Sequence, residues 1–282
     1  MNRRKFEELV FNVLMRLSTA IIFGSLVLIS ATILIKGIPT LNLDMITKVP
    51  TGGFFLGKEG GILNAILGSF YLSIGATIFA LVICIPIVIY INVYSSENSK
   101  LVYYTRLSLD VLYGIPSIVF GAFGFVIMLF LGMHVSLLAG MITVGLLIIP
   151  IIARTMDEVM RQVPVELKEA AFSLGATKWE TATKVMLKQT LPGLATASLL
   201  GLGRAIGDAA SVMFTTGFTD NIPNSLQDPA ATLPLAIFFQ LSSPIEEVRN
   251  RAYAAALILT IIIFAISLLS RVLIKRFSKN TL

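Results

Sequence analysis

Charged side chains are scarce in this sequence. Asp, Glu, Lys and Arg make up 13% of its 282 residues, about half of what a soluble globular domain carries. Such a chain cannot clothe a water-soluble fold, and with 56% hydrophobic residues it is too apolar to be disordered. There is one cysteine, Cys84, so an intrachain disulfide is excluded; its apolar surroundings mark it as a small buried hydrophobe. There is one histidine, His134, and no local carboxylate cluster, so neither a metal site nor a cofactor is expected. The sequence has no Walker A motif, no glycine-rich phosphate cradle and no Ser-His-Asp or paired-carboxylate set. It is therefore expected not to be an enzyme and not to hydrolyse ATP itself. The net charge of +6 concerns the two sides of a bilayer, not nucleic acid.

What is abundant is apolar sequence in blocks. A hydrocarbon core about 30 Å thick needs about 20 apolar residues in a helix. Six stretches qualify: Leu17–Ile35, Ile66–Ile91, Val111–Met133, Val135–Ala153, Leu191–Phe214 and Ala252–Ile274. The expected fold class is an all-α polytopic membrane protein with six transmembrane helices. Lys and Arg set the orientation: sixteen lie in the segments on the N-terminal side of the spans and five in the opposite loops. That bias predicts cytoplasmic N- and C-termini.

The longest polar stretch, Arg154 to Thr190, falls on the same side as the termini. It reads as two short helices. Pro164 suits the first turn of one, and Gly175 suits a left-handed stop after Leu174. Thr177 and Glu180 form a Thr-x-x-Glu capping box that starts the next. Isolated helices this short are marginal in water, and Ala170 and Ala171 offer a flat surface for close approach. From the residues alone, an amphipathic connector lying on the membrane is as good a reading as a docking element.

Two charges interrupt the fifth span. Arg204 and Asp208 are four residues apart and are expected on one helix face. Charges inside a span face a cavity or a partner. Spacing alone leaves a structural pair and an anion-contacting arginine equally open. Ala197, Gly201 and Ala205 form a small-residue line, flanked by Gly203-x-x-x-Gly207, that lets helices approach closely. It fits packing within the chain or against a second subunit. Arg154 is expected at the inner end of span 4, as an anchor or a pathway residue. Pro86 and Pro116 fall inside spans and can kink them. With Gly114, Gly121 and Gly124 around it, Pro116 marks either a moving gate or a static kink. The short apolar stretch Thr232–Leu241 is expected to be an interfacial or re-entrant helix on the outer side.

Glu169-Ala170-Ala171, three further residues, Gly175, nine more, and then Val185-Met186-Leu187 resemble the EAA loop of ABC importer permeases. Other segments resemble the PstA-type branch that serves phosphate importers. They are Leu41-Asn42, Pro50-Thr51-Gly52-Gly53, Gly60-Gly61-Ile62 with Ala65-Ile66-x-Gly68, Pro116-Ser117-Ile118-Val119-Phe120-Gly121, Ser136-Leu137-Leu138-Ala139-Gly140, and Arg204-Ala205-Ile206-Gly207-Asp208. The resemblance implies a type I (MetI-like) permease fold. Its core would be 61–275, preceded by an N-terminal segment 1–60 and followed by a tail 276–282. It also implies that Glu169, Ala170, Ala171 and Gly175 belong to a coupling helix that docks on a separate ATPase. Arg204, Asp208 and Arg154 would lie on the substrate pathway. The implied partners are a PstC-like permease, two PstB-like ATPases, a PstS-like binding protein and inorganic phosphate, in a prokaryotic cell membrane. Other ABC substrates (molybdate, sulfate, a polyamine) and, further off, a stand-alone channel or membrane enzyme are the alternatives. Two positions depart from the family pattern. Lys188 stands where a proline is usual. Gly207-Asp208-Ala209-Ala210-Ser211 replaces Gly-Glu-Thr-Ala-Pro, and loss of that proline is expected to straighten span 5.

Overall fold

The computed structural model describes residues 3–51, 59–96 and 98–277. Gly52 and Gly53 of the outer-loop motif and most of the 276–282 tail lie outside the described residues.

Helix α1 (Arg3–Gly37) leads through a 3-10 turn into the short α2 (Leu43–Thr47). Asn42 starts α2 by accepting the Met45 N–H at 2.8 Å, a side-chain cap for an otherwise orphan donor. Strands β1 (Pro50–Thr51) and β2 (Glu59–Gly60) pair antiparallel. Then come α3 (Leu63–Ile89), extended by a π-helical stretch over Tyr90–Tyr94, α4 (Lys100–Tyr113), α5 (Ser117–Phe130) and α6 (Leu137–Arg161). The polar loop holds α7 (Val165–Ser173) and α8 (Lys178–Glu180). A π-helical stretch over Thr181–Met186 joins α8 to α9 (Leu187–Ile206); α10 (Leu233–Leu241) and α11 (Glu246–Phe277) complete the chain.

The bundle is built on α3 and α6, which run parallel. Met141 lies against Gly75, Phe79 and Ala76 against Gly145, Cys84 donates to the Ile149 carbonyl, and Asn92 bonds Asp157. The partner offset barely changes along the helices. Small residues in α3 (Ala76, Ala80, Cys84, all fully buried) allow this approach. Helix α9 packs antiparallel on α6: Gly193 receives Val159 and Gly201 receives Ile152, with Ala197 buried between. The small-residue line of span 5 is thus used within the chain.

One end of the bundle gathers the β-hairpin and the start of α11, where the Arg251 guanidinium donates to the Gly60 carbonyl. Asn64 at the head of α3 donates to the Thr219 carbonyl at 2.6 Å. Helix α10 is folded back into this end. Its Leu233 N–H donates to Ser69 Oγ at 2.7 Å, and Leu233, Leu235 and Ala236 are buried, so it does not lie flat on the surface. The last turn of α1 sits here too, with Lys36 Nζ 4.8 Å from the Tyr253 ring centre. The opposite end carries the polar loop.

The helices differ from the expected spans at spans 3, 4 and 5. Among the described residues, four helices are long and apolar enough to cross a membrane, or five if α4 and α5 are taken as one bent span; α9, with its charges, is not among them. Span 3 is not one helix. The chain turns by 104° between α4 and α5, so Pro116 precedes α5 as its N-cap instead of lying inside a helix. Proline disfavours helical geometry in the residue before it, and Gly114-Ile115-Pro116 supplies the break. Helix α6 runs past the expected end of span 4 at Arg154, on to Arg161. Span 5 stops as a helix at Ile206, and residues 207–216 are a series of turns. The missing family proline at Ser211 therefore does not straighten the segment. The second loop helix is no separate piece either: α8, the π-stretch and α9 follow one another without a gap, with Pro192 inside α9.

Candidate functional site

The polar loop folds as the local code directs. Helix α7 ends in a Schellman motif: Ala176 N–H donates to the Ala171 carbonyl at 3.1 Å and Gly175 N–H to Phe172 at 2.9 Å. Gly175 sits at φ +81°, the left-handed region that glycine enters without penalty. Both halves of the Thr177–Glu180 capping box are formed. The Thr177 backbone N–H, then Lys184, pulls the Glu180 carboxyl down to about 2. No residue of α7 is buried. Glu169 and Ala170 are exposed and Ala171 half-buried. Nearby, Val165, Leu174 and Trp179 expose large apolar surfaces, Leu174 to 89%. Lys188 lacks the family's proline, yet the helix is irregular just before it through the π-stretch.

A second feature is a cavity of about 720 Å³ lined by Asp110, Ile115, Arg154, Glu158, Leu200 and Arg204, among others. Its walls come from α4, the α4–α5 break, α6 and α9. The two arginines, fifty positions apart in sequence, face the same space. Arg154 Nε lies 3.4 Å from Asp110 and 3.5 Å from Glu158. Arg204 lies 3.3 Å from the Asp208 carboxylate. Asp208 falls two residues past the end of α9 and is 3% exposed. Its other oxygen accepts the Ser211 N–H at 2.8 Å, which fastens the first turn of the broken segment. So the pair expected on one helix face instead spans a helix end. Guanidinium groups in this setting can fork two charge-assisted bonds to an oxyanion, while the nearby carboxylates compete for them.

The broken segment rests on glycine. A β-carbon at Gly121 would come within 2.8 Å of the Ala210 carbonyl and 2.9 Å of that of Ser211. At Gly124 it would strike the Thr143 side chain, and at Gly140 that of Thr216. The close approach of α5 and α6 to residues 207–216 thus depends on missing side chains.

Sequence reasoning missed a buried ion pair. Asp157, fully buried, accepts Arg106 Nε at 2.8 Å and Nη2 at 3.0 Å, and Asn92 Nδ2 at 2.8 Å. Asp157 sits in the charged last turns of α6, beside Glu158 and between Arg154 and Arg161, and nothing in that local pattern points to Arg106.

A bundle of apolar helices with an arginine-lined cavity and an exposed helical loop defines a multi-pass membrane transport protein. The chain belongs to the family of binding-protein-dependent transport system inner membrane components, whose pattern matches residues 50–281. It is 33% identical over 249 residues to the phosphate transport system permease protein PstA of Xylella fastidiosa, covering 87% of this chain and 84% of that one. It is 35% identical over 238 residues to PstA of Yersinia pestis, covering 84% and 80%. A chain of the MetNI methionine ABC transporter in an inward-facing conformation superposes with TM-score 0.62 at 20% identity, over 77% of this chain and 95% of that one. The MetI-like fold expected from the sequence is thus the fold of the molecule. The chain is a transport subunit of the inner membrane, not an enzyme, and its family works with an ATPase and a binding protein.

Proposed function

We propose that this chain forms one half of the translocation pathway of an ATP-driven phosphate importer. The observation that carries the reading is the convergence of Arg154 and Arg204 on one cavity. Relatives named as phosphate permeases support the substrate, and guanidinium chemistry suits it. Asp110, Glu158 and Asp208 keep the arginines from holding the anion too long, because a conduit must release what it binds. The other wall of the pathway comes from a PstC-like subunit in a heterodimer.

Helix α7, with Glu169, Ala170, Ala171 and Gly175, docks on one of two PstB-like ATPases. Its exposure, its own Val165 and its uncovered neighbours Leu174 and Trp179 support this, since apolar residues projecting from a polar loop suit a partner surface. The excess of Lys and Arg at that end supports a cytoplasmic loop and cytoplasmic termini. A PstS-like binding protein delivers phosphate to the opposite face. The transport core is 61–275; segment 1–60 adds α1 at its edge, and 276–282 is a tail. The Pro116 break and the Gly121 contact are the hinge of the gate. ATP closes the ATPase dimer, the coupling helices approach, and the pathway opens outward; hydrolysis returns it inward.

The test is phosphate uptake by the assembled transporter carrying Arg204→Ala or Glu169→Lys. Both should abolish uptake, and only Glu169→Lys should also release the ATPase. Normal phosphate uptake by Arg204→Ala would move the assignment to another ABC substrate such as molybdate or sulfate.

A further inference from the structure

Two lysines tie the loop that carries α7 to the end of α3. There the helix finishes as a π-stretch, and its last carbonyls lack partners within the helix. Two loop lysines take them. Lys168 Nζ donates to the Asn92 carbonyl at 3.0 Å. Lys178 Nζ donates to the Tyr94 carbonyl at 3.2 Å, with its ammonium 5.9 Å from the Tyr94 ring centre. The negative end of the α3 dipole favours both cations.

The connection continues inward. The Asn92 side chain donates to Asp157 on α6 at 2.8 Å, and Asp157 accepts both Nε and Nη2 of Arg106 on α4. One turn further along α4, Asp110 pairs with Arg154 at the cavity wall. An unbroken path of hydrogen bonds therefore runs from α7 through α3 and α6 to α4, the helix that bends at the cavity. Burying Asp157 with Arg106 is an expensive way to stabilise a fold, because desolvation offsets most of the attraction. What it supplies is direction: bonds with fixed donors and acceptors transmit displacement, whereas an apolar contact can slip.

We propose that Lys168, Asn92 and Asp157 are positioning residues that transmit movement of α7 to α4 and the arginine cavity, and so set how much substrate moves per ATP. This rests on α7 being the ATPase-coupling helix. Lys168 acts not on the ATPase but on the end of α3, and Asn92 is the joint where the loop's movement enters the bundle.

The experiment uses the complete transporter (both permeases, ATPases and binding protein) in liposomes and reads phosphate imported per ATP hydrolysed. Lys168→Met keeps the stem and removes the donor; Asn92→Ala breaks the bond to Asp157 and leaves the carbonyl that Lys168 occupies. Each should lower the ratio by about fivefold, the scale seen for substitutions along coupling networks, with ATPase subunits still co-purifying. The double variant should be no worse than either alone, because both cut one path. Lys168→Arg, which keeps a donor, should recover most of the ratio. An unchanged ratio in Lys168→Met overturns the proposal. So does loss of the ATPase from that variant, which would make Lys168 a docking residue. Failure of the underlying reading is separate: there Glu169→Lys leaves the ATPase bound, whatever Lys168→Met does.

Discussion

Asp208 holds Arg204 with one carboxylate oxygen, at 3.3 Å, and the backbone of Ser211 with the other, at 2.8 Å. The charge that faces the cavity is thereby fastened to the turns that follow the end of α9. On the proposed pathway, an anion that drew Arg204 away would also disturb the turn that Asp208 closes.

Asp208→Asn separates the two bonds. The amide oxygen still accepts the Ser211 N–H, but the charge opposing Arg204 is gone. Phosphate should be retained longer, so KM falls and the maximal uptake rate falls with it. Asp208→Ala loses both bonds and leaves a buried N–H unsatisfied, a destabilisation of about 1–3 kcal/mol. Uptake kinetics and thermal unfolding in detergent separate the two variants; equal KM values in Asp208→Asn and the parent would contradict the competition between Asp208 and the anion.

Gly121→Val should be worse than its small size suggests. The added carbon meets main-chain oxygen at Ala210 and Ser211, and main chain cannot step aside as a flexible side chain can. Overpacking of this kind costs about 1–3 kcal/mol. Transport should fail even where the protein is still produced and inserted. Uptake at parental levels in a stably inserted variant would mean that α5 and the broken segment do not stay in contact.

Asp157→Ala should destabilise the subunit by about 3–5 kcal/mol, since it strands a mostly buried arginine. Replacing the pair with Met at 106 and Leu at 157 should restore much of the thermal stability for the same reason. If the single variant melts with the parent, the pair is not buried in the assembled protein.

The capping box gives a pH prediction. The Glu180 carboxyl is lowered from about 4.5 to about 2, so its support for the helix start is full above the unfolded value and disappears as pH falls from about 4.5 towards 2. Amide exchange protection at Thr177 and Glu180 should hold steady from neutral pH to about 5 and then decline. In Glu180→Ala the decline should be absent.

The loop was legible because its signals are local. Gly175 and the Thr177–Glu180 pair each close hydrogen bonds within a few residues, and the structure forms both. Arg154 and Arg204 were legible as charges in apolar sequence, though not their shared cavity. The helix breaks were hidden for one reason. Hydropathy reports the solvent a segment sits in and says little about whether its backbone is continuous. Val111–Met133 and Leu191–Phe214 are apolar throughout most of their length, so each reads as one crossing, yet one bends at Gly114–Pro116 and the other unwinds after Ile206. The Arg106–Asp157 pair was invisible because it joins residues fifty-one apart, and only the parallel packing of α3 and α6 brings its surroundings together.

Helix α1 touches the rest of the molecule chiefly through α11, and no residue of its apolar window is buried. At 1.5 Å per residue its 35 residues reach about 52 Å. A fatty-acid slab about 30 Å deep takes in only about 20 of them. The remainder must emerge among the headgroups and beyond, carrying Arg4 and Arg16. The last turn of this rod is held against α11 through Lys36 and Tyr253, so a change in acyl-chain length should tilt α1 about that point while the cavity keeps its shape.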